Sequence, residues 1–214
     1  RGNAGLTALA DAASLNQAPT PYHLGFIIGP RINAGGRIGD AALGAKLLST
    51  EDPMEAARIG ELLDRLNRER KTIETAALEE AIALADQQVE TNPDRAMVIV
   101  GSDGWHKGIV GLVASRLVEK FRRPACVISW TADGDGAPGE GTGSLRSIAG
   151  VDLGAAVRGA VASGLLIKGG GHAMAAGLTV KRERLGDLDH YFGEALSKAS
   201  SSAARPPRTT ATSR

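Results

Sequence analysis

Apolar residues recur at the helical period through Ile59, Leu62, Leu63, Leu66, Ile73, Ala77 and Leu84. That stripe predicts one long helix from Thr50 to Thr91. Pro53 sits in its first turn, where a missing N–H does no harm, and Asn92-Pro93 stops it. Arg65, Arg68, Arg70 and Lys71, interleaved with Glu61, Glu69 and Glu74, read as a solvated, salt-bridged face. After the helix the pattern changes. Ala96–Val100 and Ala125–Trp130 are continuous apolar runs of strand length. Between them Ile109, Val110, Leu112, Val113, Leu117 and Val118 crowd a mostly buried helix that opens at Trp105 and runs to Phe121. Asp152 caps a helix to Ser163, Ala173–Val180 reads as a buried strand of small residues, and 183–199 as an amphipathic helix. Upstream, Tyr22–Ile28 is a short strand or extended run, and Asp40 caps a helix over Ala41–Leu48. The order β-α-β-β-α-β-α over 96–199 predicts an α/β domain. Its mixed central sheet is flanked by helices and preceded by a long connector helix.

Composition narrows what this framework does. Aromatic residues are 3% of 214, so the core is built from Ala, Val, Ile and Leu. The formal net charge of +1 announces no global nucleic-acid field, so any such site is a local patch. The single cysteine, Cys126, lies in an apolar run and reads as an inert core residue, consistent with a reducing cytosol. No apolar stretch reaches membrane-spanning length and no signal peptide is visible, so the expected location is cytoplasmic. The chain opens on Arg1 rather than Met, which points to a fragment.

Four polar, glycine-rich segments carry the candidate chemistry. Gly29–Gly39 reads as a loop presenting Arg31, Asn33 and Arg37, and arginine is the side chain suited to bidentate phosphate contacts. His106 and Lys107 stand at the start of a helix after a strand, where free N–H groups and the dipole favour anions. Glu140–Ser147 brings Ser144 and Arg146 among glycines, an oxyanion-binding inventory. Gly169-Gly170-Gly171-His172 reads either as an anion-binding nest with His172 at its lip or as a plain glycine hairpin. Asp133 and Asp135 belong to a polar turn over 131–139. No Asp-His-His run, His-x-x-x-His or Cys/His set with metal spacing is present. Phosphodiester hydrolysis normally needs metal-activated water, so the chain reads as able to hold a phosphate substrate but not to cut it alone.

Gly29–Arg37, Trp105–Leu117, Gly143–Ser147 and Gly169–Gly177, in this order, resemble the RecJ family of the DHH phosphoesterase superfamily. Its members are single-strand-specific 5′→3′ DNA exonucleases. The resemblance covers about residues 22–199. It implies that 1–48 is the C-terminal remnant of the catalytic DHH domain, 49–94 the interdomain connector helix and 95–199 the DHH-associated substrate-binding domain. Residues 200–214 are expected to be a disordered linker. It also implies a role in DNA repair and recombination. Mn²⁺ or Mg²⁺ would be bound by the missing domain, leaving no catalytic or metal residue in this fragment. Ser144, Arg146 and one arginine of the 29–37 loop would hold the 5′ phosphate. The other expected substrate contacts are Asn33, Lys107, Gly170 and Gly171, with His106 and His172 lining the cleft. Leu145 stands where the family has a small residue and is expected to narrow the pocket. Single-stranded DNA is the expected partner, with a single-stranded-DNA-binding protein and a helicase as candidate partners of the full-length enzyme. The alternatives are a non-catalytic nucleic-acid-binding module, or an oligoribonuclease or cyclic-dinucleotide phosphodiesterase of the same superfamily.

Overall fold

The structure is a computed structural model that describes residues 2–130 and 139–203, with side chains described through residue 197. The expected turn carrying Asp133 and Asp135 and the tail from residue 204 lie outside the described residues. Two compact units divide the chain, residues 1–77 and 78–214. The boundary falls inside one helix, α5 (Pro53–Thr91), whose 39 residues match the long helix read from the apolar stripe.

The first unit is helical throughout. It contains α1 (Ala4–Ala12), α2 (Pro21–His23), a π-helical turn over Leu24–Ile28, α3 (Gly29–Ile38), α4 (Ala42–Ser49) and the first half of α5. The expected strand at Tyr22–Ile28 and the expected glycine loop at 29–39 are therefore both helix. The glycines are used for close packing rather than for backbone freedom. A Cβ on Gly35 would stand 2.8 Å from the Asp40 carbonyl oxygen, and one on Gly44 would stand 2.9 Å from the Ile32 side chain. Small residues let these helices approach and close a core of Leu9, Ile28, Leu47, Ala56, Ile59 and Leu63. The N-cap of α4 is Ala41 rather than Asp40, which stands one residue earlier and accepts the Ala42 N–H at 2.8 Å.

The second unit is a five-stranded mixed sheet between helices. Its strands are β1 (Val98–Ser102), β2 (Ala125–Trp130), β3 (Glu140–Arg146), β4 (Lys168–Gly171) and β5 (Ala175–Lys181). The strand order is β1-β2-β3-β5-β4. β1 and β2 are parallel, joined through α6 (Val110–Phe121), and the other pairs are antiparallel. One face buries Ile99, Cys126, Ile128, Leu145, Leu178 and Val180 beneath α7 (Leu153–Ala162) and α8 (Leu185–Ala203). The other face receives α6, which packs on β2 and β3. Asp152 caps α7 through the Ala155 N–H at 2.9 Å. β4 is a strand that the apolar pattern does not predict: the three glycines lie in it and pair with β5. The helix after β1 begins at Val110, so Trp105–Gly108 forms the loop that leads into it.

Candidate functional site

Strand alternation sorts the β3 residues. Ser144 and Arg146 point to the α6 side of the sheet, while Leu145 between them is fully buried in the opposite core with Cys126 and Ala176 as its register partners. Leu145 therefore does not narrow the pocket. It lies on the other face of the sheet. Gly141 and Gly143 also face that core, where an added Cβ would meet Trp130, Ile128 or Leu178 within 2.4 to 2.7 Å. Ser147 is spent in loop closure, its hydroxyl donating to the Val151 carbonyl at 2.8 Å.

Ser144 and Arg146 form one unit. Arg146 Nη1 donates to Ser144 Oγ at 2.9 Å and to the Leu145 carbonyl at 2.8 Å. Helix α6 passes directly above them at Gly111. A Cβ there would stand 2.9 Å from Arg146 Nη2 and 3.1 Å from Ser144 Oγ. A side chain at Gly111 would push the guanidinium tip aside, so the first turn of α6 and this Ser/Arg pair share one small volume.

The adjoining strands extend this surface without side chains. Ser144 pairs across the sheet with Gly177, and Gly177 pairs with Gly170. A Cβ on Gly170 would meet nothing within 4 Å, and one on Gly177 nothing nearer than the Gly143 carbonyl oxygen at 3.8 Å. Both glycines are exposed, and neither is required by the fold. Gly169 and Gly171 differ. A Cβ on Gly169 would meet Val157 of α7 at 2.7 Å, and one on Gly171, at φ +156°, would stand 2.4 Å from the Ala175 carbonyl oxygen of β5. The glycine run is thus a strand edge rather than a nest. Gly171 serves packing and Gly170 lines the open face.

His172 follows at the hairpin tip, exposed, its backbone N–H donating to Ala175 O at 2.8 Å. The tip is tethered to the segment after β3, because Met174 O accepts from Ser147 N at 3.0 Å and Ala173 O from Leu153 N at 3.1 Å. His106 Nδ1 accepts the Gly108 N–H at 3.0 Å, so the neutral ring carries its proton on Nε2. His106 and Lys107 are both exposed. Among the described residues no three of His, Cys, Asp or Glu converge as a metal site requires.

Arg31, Asn33 and Arg37 belong to the other unit. Arg31 Nε donates to Asp64 Oδ1 at 2.9 Å and Nη1 to the Ile27 carbonyl at 2.7 Å, with the Arg31 side chain 16% exposed. Asn33 is exposed on α3, and Arg37 is half-buried in its last turn. Arg70, expected on a solvated face, is buried with Asn67 and ion-paired to Glu74. The sequence reading did not assign Gly111 or Gly177 to the site. Trp105 is buried, and its indole donates to Glu80 at 2.7 Å.

A family model for the DHHA1 domain matches residues 94–198, from the end of α5 into α8. Residues 94–198 are a DHHA1 domain. The likeness reaches beyond it. The chain is 37% identical over 194 residues to the single-stranded-DNA-specific exonuclease RecJ of Dickeya dadantii, covering 89% of this chain and 33% of that protein. The RecJ of Thermus thermophilus, solved with Mg²⁺, superposes with a TM-score of 0.76 at 30% identity over 92% of this chain and 29% of that one. The same protein solved with Mn²⁺ also gives 0.76, over 27% of its length. The chain spans about a third of the length of the curated relatives it matches. Within the DHHA1 domain lie Ser144, Arg146, the glycine row, His106, Lys107 and His172.

Proposed function

We propose that this chain is the strand-holding part of a RecJ-like, cytoplasmic 5′→3′ exonuclease for single-stranded DNA, working in DNA repair and recombination. Ser144 and Arg146 hold the 5′ phosphate. The observation that carries this reading is the clearance at Gly111, which sets a guanidinium and a hydroxyl beside the first turn of a helix. Arginine and a helix start both favour phosphate oxygens. The bare row Gly177–Gly170 lies next to that pair and gives a sugar or base access to the backbone. His106 and His172 are exposed donors that line the same strand path, with Lys107 adding charge and Gly171 shaping the hairpin.

In this reading residues 1–48 close a DHH domain, 49–94 connect it, and the divalent metal that activates water belongs to that domain. The described residues do not fit such a metal, because their His, Cys, Asp and Glu side chains nowhere gather in threes. Arg31 serves Asp64 and the Ile27 carbonyl in the other unit.

The test is fluorescence anisotropy of a labelled single strand, 5′-phosphorylated against 5′-hydroxyl, through a salt series. The 5′-phosphate should bind more tightly, and Arg146→Ala should remove the preference and lower the salt slope by about 0.7. Equal binding of the two ends by the unaltered chain overturns the pocket assignment.

A further inference from the structure

Between the end of β1 and the start of α6, residues 103–109 form no regular element, yet this loop aims His106 and Lys107. Its mid-loop anchor is Trp105, 4% exposed. The anchor is pinned on two sides. The indole Nε1–H donates to Glu80 Oε2 at 2.7 Å, and the Trp105 carbonyl accepts from the Ser129 hydroxyl on β2. The adjacent residue inherits that placement. His106 Nδ1 takes the Gly108 N–H, and the His106 carbonyl takes the Ile109 N–H at 3.0 Å, which starts the helix. Glu80 itself lies on α5 and is exposed. Further along α5, Gln88 ties the same helix to β1. It donates to the Ile99 carbonyl at 2.6 Å and accepts the Ile99 N–H at 3.1 Å, as a neighbouring strand would. Asp86 on α5 also receives Lys120 of α6 at 2.9 Å.

We propose that Glu80 is a positioning residue for the substrate-binding loop: through the Trp105 indole it fixes where His106 and Lys107 stand. The indole N–H of a buried tryptophan needs an acceptor, and Glu80, on an otherwise solvated helix position, supplies it. Ser129 ties the backbone of Trp105, and Glu80 gives the indole N–H its hydrogen bond. Glu80 acts through Trp105 and touches no substrate. Its role in strand binding rests on the function proposed above, whereas its effect on the loop does not.

The experiment compares the 214-residue chain with its Glu80→Ala, Glu80→Gln and Trp105→Phe variants in two readouts. The first is hydrogen exchange of the 106–109 amides, with β2 and β3 as internal controls. Glu80→Ala should speed exchange in the loop alone, and Glu80→Gln, which keeps an acceptor oxygen, should restore it. The second is affinity for 5′-phosphorylated single-stranded DNA, expected to weaken about fivefold in Glu80→Ala and Trp105→Phe, the order set by one lost hydrogen bond, and to recover in Glu80→Gln. Exchange that rises across the whole sheet makes Glu80 a stability residue only and overturns the proposal. A Glu80→Gln variant as impaired as Glu80→Ala overturns it too, because charge rather than the hydrogen bond then matters. Loosening confined to the loop with unchanged DNA affinity upholds the positioning of the loop and overturns the function proposed for it.

Discussion

At the scale of single residues, the glycines show most clearly how one residue type serves two ends. Gly169 abuts Val157 of α7, and Gly171 holds a positive φ with β5 backbone atoms where a side chain would go. Gly170, between them, has open space on its side. Gly171→Ala should therefore cost about 2–3 kcal/mol in urea unfolding, from strain and overpacking together. Gly170→Ala should leave the unfolding midpoint within about 0.5 kcal/mol. It should nonetheless weaken binding of 5′-phosphorylated DNA roughly tenfold, as one misplaced methyl group in a fitted site does. Equal destabilisation by the two changes would show that the face of the strand does not matter. Cys126 is fully buried, and desolvation pushes its thiol far above the usual range, so it is a packing residue.

At the scale of elements, the first unit owes its helix contacts to polar ties as well as to leucines. Asp64, 7% exposed at its side chain, is held by Arg31 of α3 and also by Arg68 one turn further along α5. Breaking a buried pair costs about 3–5 kcal/mol when the remaining charge is left alone. Arg68 remains here, so Arg31→Ala should cost less, about 2 kcal/mol, read as a shift in the urea midpoint. Arg31→Lys should recover only part of this, because a single ammonium cannot serve both Asp64 and the Ile27 carbonyl in the geometry of the guanidinium fork. No change in Arg31→Ala would mean the tie is incidental. The helix-start tie of Glu55 adds a pH-sensitive contact. Lys46 at 2.9 Å and Thr50 at 2.7 Å hold its carboxyl below the ordinary carboxylate range. A lowered folded-state pKa gives a contribution present above the unfolded value and lost as pH falls through the folded one.

At the scale of the whole molecule, the chain has a net charge of +1, so the strand binding proposed above rests on local groups rather than on a global field. Incubating the chain with Mn²⁺ and single-stranded DNA should produce binding and no cleavage. Released mononucleotides would place a working metal centre in these residues and overturn the binding-only reading. The long helix, the continuous strands β1 and β2, the cap at Asp152 and the mixed sheet were all legible in the sequence. Each rests on local chemistry: periodicity, β-branched runs and short polar caps. The four motifs, too, were legible as sets of residue types. Their local shapes were not. Gly29–Ile38 is helix and Lys168–Gly171 is strand because neighbouring elements supply contacts that outweigh glycine's local preference. The side of the sheet on which Leu145, Gly170 and Gly171 fall is set by cross-strand register, which joins residues far apart in the chain. So the sequence by itself determined the long helix, the apolar strands and the residue types that the four motifs bring. Only the tertiary structure decided that Gly111 makes room for Arg146, that Arg31 belongs to Asp64 and that Glu80 holds Trp105, because each is a contact between elements whose approach no local pattern encodes.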